Sequence, residues 1–544
     1  MDKPRHGGHV IAKVLANEGV KNLFTLSGGH IAPIYDGCLD EGIRIVDFRH
    51  EQAAAHAADG WARVTLRPGV AAVTAGPGVT DAVTGIANAF YANSPVLVLS
   101  GKNPIVEFEM GSLQEMDHVT LVSSITKWAK TCYDVRRVAP MVSTAFRYAL
   151  SGRFGPTFLD FPLDVQFMPA PNEPLPERYR SEAKPFGDPD LVMEAVKLLR
   201  DAECPIVFAG AGVRWSNAHE ALAQLAHALK APVFLNSLGR GCLPPDDPYF
   251  FSAARKYALG KADVVLALGV DWDFRLGFGT RGFAPEAKVI QVDVDGVHVG
   301  RNRPVDVGII GDPGRVIEQL VDAGAGTADE PAWTEEVRQE ERAKNDAARA
   351  GMESDAVPIH PQRFAREVRD FLDPDAIVVG DGGDIVGITA SIVTARQPGH
   401  WLDPGPLGTL GVGPGFAIAA KLAKPDKQVA IVYGDGSFGL NAMEYESALR
   451  QNIPFVGIIG NDGAWGQIKV AQEAMYGAGN APASELNPQA TYHKMVEGLG
   501  GYGELVTEPD QIRPALQRAF DSGVAACLNV LVDPTLMRRT SYLG

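Results

Sequence analysis

Short apolar runs, rich in β-branched residues, recur along the chain, each followed by a glycine-bearing turn and then by a longer stretch with helical spacing. Residues 22–25, 45–48, 70–73, 376–379, 428–432 and 455–459 show little polar alternation, the pattern of strands buried on both faces of a parallel sheet. Repetition of strand and helix predicts an α/β architecture. Prolines crowd residues 169–176, in Pro169-Ala170-Pro171-Asn172-Glu173-Pro174-Leu175-Pro176, and the break runs on to about Pro189. They disfavour helix and central strand, so this segment reads as a linker. A second linker opens near Gly324, carries a charged helical stretch from Trp333 to about Arg349, and closes at Pro358-Ile359-His360-Pro361. The expected organisation is three doubly wound, parallel-sheet domains, at residues 1–168, 190–325 and 358–544.

Two turns near the C-terminus carry the sharpest chemistry. Tyr433-Gly434-Asp435-Gly436-Ser437-Phe438-Gly439 follows one apolar run, and Gly460-Asn461-Asp462-Gly463-Ala464-Trp465 follows the next. Between them, residues 441–449 read as one helix. Each carboxylate is expected just past the C-terminal end of a strand, where open α/β sheets bind ligands. Two acids at neighbouring strand ends, with glycines that let backbone approach, suit a hard cation holding a diphosphate.

Asp435 and Asp462 lie 27 residues apart (435 to 462), and this spacing resembles the motif that binds thiamine diphosphate (ThDP) and Mg²⁺ in ThDP-dependent enzymes. The resemblance implies Asp435, Asp462 and the carbonyl of Ala464 as metal ligands. It also implies cofactor contacts from Gly434, Gly436, Ser437, Trp465 and Gly466. Asp462 stands where that motif usually has Asn, which adds a negative charge facing the diphosphate. Arg49-His50-Glu51, leading into an Ala-rich helix, resembles the same superfamily's glutamate motif. It implies that Glu51 hydrogen-bonds the aminopyrimidine and activates the cofactor. A carboxyl doing this should be shielded from water, with a raised pKa. Gly76-Pro77-Gly78 resembles the turn beside the aminopyrimidine, and Gly408-Thr409-Leu410-Gly411 the loop whose apolar residue, here Leu410, wedges the cofactor into its bent form. Gly382, Gly383 and Asp384 match a diphosphate-contacting loop. The likeness spans nearly the whole chain, and it implies sites shared between the first domain of one subunit and the third of another, hence a homodimer at least and a homotetramer by expectation.

His30 and Gln114, taken with Glu51, resemble the active site of benzaldehyde lyase and related carbon–carbon lyases. Histidine can move a hydroxyl proton and glutamine can donate to a developing oxyanion. The central domain resembles that of acetolactate synthases, oxalyl-CoA decarboxylases and 2-hydroxyacyl-CoA lyases. In those enzymes this domain holds the CoA of an acyl-CoA, an ADP or other nucleotide such as FAD, or stands empty, and Arg275, Arg301 and Arg303 are the candidate phosphate contacts. The basic, partly apolar tail at residues 534–542 is a candidate lid over a thioester. The pattern as a whole looks closest to the actinobacterial 2-hydroxyisobutyryl-CoA lyases. The implied reaction interconverts a 2-hydroxyacyl-CoA with formyl-CoA and a ketone or aldehyde such as acetone. The alternatives are an acetolactate synthase-like enzyme acting on pyruvate and a benzaldehyde lyase-like carboligase.

Bulk properties narrow this picture. The 544 residues are 46% hydrophobic and 21% charged, a globular balance, and the net charge of −16 argues against nucleic acid or anionic membrane as partners. Five scattered cysteines without a Cys-x-x-Cys pair fit a reducing cytoplasm. No signal-peptide core and no membrane-spanning run stands out, so a cytoplasmic enzyme is expected.

Overall fold

A computed structural model describes residues 5–170 and 180–536. It contains three six-stranded sheets, with every strand pairing parallel. The first holds β1 (Asn22–Thr25), β2 (Arg44–Asp47), β3 (Gly69–Val73), β4 (Val96–Lys102), β5 (Trp128–Thr131) and β6 (Thr157–Pro162), in the order β2-β1-β3-β4-β6-β5. The second holds β7 (Pro205–Ala209), β8 (Val233–Leu235), β9 (Phe250–Phe251), β10 (Val264–Leu268), β11 (Lys288–Asp293) and β12 (Val307–Ile310), in the order β12-β11-β10-β7-β8-β9. The third holds β13 (Ile377–Asp381), β14 (Trp401–Leu402), β15 (Val429–Gly434), β16 (Val456–Asn461), β17 (Tyr502–Val506) and β18 (Ala526–Leu531), in the order β14-β13-β15-β16-β18-β17. Helices cover the sheets, so the central strands are buried along their length, as their unbroken apolar runs require.

The first and third sheets share one strand order, and they meet within the chain through helices. The Glu51–Thr65 helix packs on the Gly413–Ala423 helix. The approach is close because both present glycine: a Cβ on Gly60 would lie 2.9 Å from the Phe416 ring, and one on Gly415 would lie 2.7 Å from the Ala53 carbonyl. Arg63, fully buried in this seam, forks onto Asp59 at 2.6 and 2.7 Å and lies 4.8 Å over the Phe416 ring. Asn88 donates to the same carboxylate. The Arg63 guanidinium is thus paired with a carboxylate and capped by an aromatic face, the condition for carrying a buried charge.

One expectation needs correction. Residues 441–449 are not a single helix but the end of Asp435–Asn441 and the start of Glu444–Arg450. The break lets Glu444 turn back toward the first domain, where its carboxylate accepts the Arg49 amide at 3.0 Å. The charged linker stretch forms the Ala332–Met352 helix. Most of the proline cluster at 171–179 and the tail beyond Leu536 lie outside the described residues, and with them most of the expected lid. Among the described residues no helix is long and apolar enough to cross a membrane.

Candidate active site

The turns after β13, β15 and β16 close around one cavity of ≈ 370 Å³. Every third-domain cofactor position expected from sequence lines it: Gly382, Gly383, Asp384, Gly408, Leu410, Gly434, Asp435, Gly436, Ser437, Asp462, Ala464, Trp465 and Gly466. Asp435 opens a helix directly after β15, and Asp462 follows β16 directly. The glycines are there for space. A Cβ on Gly436 would fall 2.5 Å from the Trp465 ring, and one on Gly383 would fall 2.4 Å from the Gln467 amide. Gly382 has φ +150°, and a Cβ there would lie 2.8 Å from the Gly434 nitrogen.

The electrostatics of this cavity ask for a cation. Burial raises the Asp435 pKa, and the neighbouring Asp462 carboxylate raises it further. Burial raises Asp462 as well. Asp435 Oδ2 is buried with no hydrogen-bond donor. Two desolvated acids side by side are unfavourable unless protonated or bridged by a positive charge. Asn461 does not join them; its side chain accepts the Gly463 amide at 3.0 Å and shapes the turn. The donor set is all oxygen, as a hard divalent ion prefers. These residues therefore fit a diphosphate held through such an ion.

Leu410, half-buried, is carried on a loop pinned from below. Asp381, fully buried at the end of β13, accepts the Gly411 and Gly413 amides at 3.0 and 2.7 Å. Burial pushes its pKa up to about 7, against those two hydrogen bonds. Asp381 directly precedes the Gly382-Gly383-Asp384 loop, but its role as loop anchor was not legible, because the amides it holds are 30 and 32 residues away. Phe274, from the central domain, also lines the cavity; no sequence signal pointed to it.

A second cluster forms in the first domain. Glu51 is the first residue of its helix, 5% exposed, and burial raises its pKa. His30 is 8% exposed, and burial lowers its pKa against the opposing effect of its interaction with the Gln114 side chain. Its backbone is fixed, since Gln166 donates to the His30 carbonyl at 2.7 Å and Gly101 leaves no room for a side chain opposite. Thr74 Oγ1 sits 3.4 Å from both His30 Nδ1 and Gln114 Oε1. Gln114 is held at φ +62° on a loop whose amides converge on Glu115. Pro77 begins the helix after β3, and the site for a Cβ on Gly78 is 3.4 Å from Glu51 Oε1. The fold thus brings His30, Gln114, Pro77 and Glu51 into one neighbourhood.

The three arginines proposed for phosphate contacts are not assembled into one site. Strand order in the second sheet reverses between β7 and β10, and a crevice opens there. Arg275 borders it and pairs with Asp273. Arg303 instead donates to the Gly279 and Ala287 carbonyls and lies over the Phe283 ring, so it holds its own loop together. Arg301 is exposed. A residue not foreseen, Arg153 of the first domain, enters the crevice and pairs with Asp271 at 2.9 Å and Asp293 at 2.5 Å.

Three family models match the chain: the N-terminal TPP binding domain of thiamine pyrophosphate enzymes over residues 5–121, their central domain over 192–320, and their C-terminal TPP binding domain over 381–530. The acetolactate synthase large subunit of Mycobacterium tuberculosis is 42% identical over 532 residues, covering 98% of this chain and 96% of that protein. 2-Hydroxyacyl-CoA lyase 2 of Bos taurus is 36% identical, covering 98% and 91%, and that of Homo sapiens is 34% identical with the same coverage. The chain belongs to the thiamine diphosphate enzymes, in the family that holds the acetolactate synthases and 2-hydroxyacyl-CoA lyases, and is a ThDP-dependent lyase or synthase.

Proposed function

We propose that this enzyme interconverts a 2-hydroxyacyl-CoA, 2-hydroxyisobutyryl-CoA being the expected one, with formyl-CoA and a ketone such as acetone. The observation that carries this reading is the His30–Thr74–Gln114 cluster beside buried Glu51. Cleavage of a 2-hydroxyacyl thioester needs a proton taken from the 2-hydroxyl and a donor for the carbonyl oxygen as it gains charge. His30, kept neutral by burial, has the lone pair for the first task, and the Gln114 amide can serve the second. The C2–C1 bond then breaks: the hydroxyl-bearing carbon leaves as ketone, and the thioester carbon acquires a proton to become formyl-CoA.

In this reading Asp435, Asp462 and the Ala464 carbonyl would hold Mg²⁺, and Gly382, Gly383, Asp384 and Ser437 would border the diphosphate. Leu410, on the cavity wall, would pack against the cofactor. Bound ThDP supplies the nucleophilic carbon and the electron sink. Glu51 presents its carboxyl to the aminopyrimidine, and its raised pKa suits a proton shared with a neutral ring. In this reading the site is completed between two subunits, so the active form is at least a homodimer, with a homotetramer expected. The central crevice, with Arg275 and Arg153 at its edge, is the candidate place for a nucleotide portion.

A second reading, acetolactate synthesis from pyruvate, is favoured by the name of the 42% identical relative. One experiment separates them. Purified protein with Mg²⁺ and ThDP is given 2-hydroxyisobutyryl-CoA or pyruvate, and products are followed by mass spectrometry. Formyl-CoA with acetone, absent without ThDP, supports the lyase; acetolactate and CO₂ from pyruvate, with the thioester untouched, overturns it.

A further inference from the structure

Behind the first-domain cluster lies a buried network that the mechanism above does not use. His118 and Asp160 are both fully buried, and His118 Nδ1 lies 3.2 Å from Asp160 Oδ2. The other ring nitrogen, Nε2, receives the Gly76 amide hydrogen at 2.8 Å. These contacts fix the tautomer: Nε2 must carry a lone pair to accept from an amide, so Nδ1 carries the proton and donates it to the carboxylate. Lys102, at the end of β4, donates to the Met116 carbonyl at 3.0 Å and stands 3.6 Å from Asp160 Oδ2. Asp160 Oδ1 has no hydrogen-bond partner among the described residues, so the carboxylate depends on His118 and Lys102. Three neighbouring strands are therefore linked through the His118–Asp160 pair: Gly76 after β3 bonds the imidazole, Asp160 lies on β6, and Lys102 of β4 stands beside its carboxylate.

What His118 holds is the Gly76-Pro77-Gly78 turn. Gly76 has φ +60°, a conformation open to glycine at little cost, and a Cβ there would lie 2.9 Å from Gln114 Cβ. On its other side the turn reaches Glu51, 3.4 Å from the site of a Gly78 Cβ. A shift of the turn therefore displaces Gln114, Glu51 or both. We propose that His118, with its tautomer set by Asp160, is a positioning residue that fixes this turn between Glu51 and Gln114 and so sets the spacing of the groups facing cofactor and substrate. The inference rests on the reading of Glu51 as the cofactor-activating carboxylate.

Two substitutions divide the two bonds of the imidazole. His118→Asn can still donate to Asp160 but cannot reach Gly76; His118→Gln can place an acceptor near Gly76 but gives up the Asp160 geometry. Asp160→Asn retains shape but replaces the charged acceptor of Nδ1 with a neutral amide that can face the ring with either its oxygen or its NH₂, so the tautomer that leaves Nε2 open to the Gly76 amide is no longer fixed. Two measurements apply. Amide hydrogen exchange at Gly76, in protein without cofactor, reads the pinning of the turn. The rate at which bound ThDP exchanges its C2 proton for deuterium reads Glu51 function without any substrate.

His118→Asn and Asp160→Asn are expected to lose protection at Gly76 and to slow C2 exchange about tenfold, the scale of one buried hydrogen bond left unmade. His118→Gln should keep most of both. Equal loss in His118→Asn and His118→Gln, tracking melting temperature, would overturn the proposal in favour of a purely structural ring. So would wild-type C2 exchange in both Asn variants. Glu51→Ala is the control. If it abolishes C2 exchange while His118→Asn matches wild type, this inference alone fails. If Glu51→Ala exchanges like wild type, the underlying reading fails first.

Discussion

The first and third sheets are built on one plan, β2-β1-β3-β4-β6-β5 and β14-β13-β15-β16-β18-β17, and each carries its chemistry beyond the same four strand ends. After β1, β2, β3 and β4 come His30, Glu51, the Gly76–Gly78 turn and Gln114. After β13, β14, β15 and β16 come Gly382–Asp384, Leu410, Asp435 and Asp462. Topology supplies the addresses, and the residues installed there divide the labour. In the first domain burial moves both ionisable groups toward neutrality, lowering His30 and raising Glu51. In the third domain two carboxylates are forced together among glycines, an arrangement that gains from a divalent cation. The fold alone would not distinguish a region that adjusts protons from one that grips a diphosphate; the side chains do.

If this division is right, substitutions in the two regions should fail in different ways. Asp435→Ala should weaken Mg²⁺-dependent retention of ThDP more than about 100-fold, beyond the loss usual for a mere supporting partner of a metal ligand, as equilibrium dialysis would show. Undiminished binding would break the comparison at its strongest point. Glu51→Gln should do the opposite, leaving ThDP affinity within about threefold while turnover falls roughly 10²- to 10⁴-fold, the range for a positioned acid or base. Loss of binding with unchanged rate per bound cofactor would reverse the roles assigned to the two domains.

A finer test is Asp462→Asn, which keeps an oxygen ligand and removes one charge from beside the diphosphate. ThDP affinity at saturating Mg²⁺ should rise by up to about tenfold, as Coulomb repulsion between nearby partly buried charges allows. A fall of that size would mean the extra carboxylate is needed for the metal.

The smallest expected effect lies at the joint between the regions. Burial pushes the Glu444 pKa up to about 7 although Ser447 and the Arg49 amide donate to it. The folded protein then holds this proton more tightly than the unfolded chain. Stability from this group is therefore full below the ordinary carboxylate range and is lost as pH rises through about 7. Glu444→Gln should flatten that slope, and urea midpoints at acid and at neutral to alkaline pH would show it. An unchanged slope would assign the pH dependence elsewhere.

Much of the site could be read along the chain because its parts are local. Gly434-Asp435-Gly436 and Asp462-Gly463-Ala464 each fit within one turn, and the apolar run before each announces the strand end that presents it. Glu51 was legible for the same reason, as the residue between a strand and an Ala-rich helix. The partners of these residues were less visible. His118 is 42 residues from both Gly76 and Asp160, and the amides held by Asp381 lie on a loop from another strand. Arg303 could not be sorted from Arg275 along the chain, because an arginine in a loop looks the same in sequence whether it borders a crevice or, like Arg303, meets its own backbone carbonyls.

The sequence by itself determined the α/β class, the strand ends and the identity of the groups placed there, because apolar runs and glycine turns act over a few residues. The tertiary structure decided what each group experiences: which carboxyl loses water, which imidazole stays neutral, which guanidinium is already taken. Those properties depend on desolvation and on charges brought close by folding, and neither is encoded in any short stretch of chain.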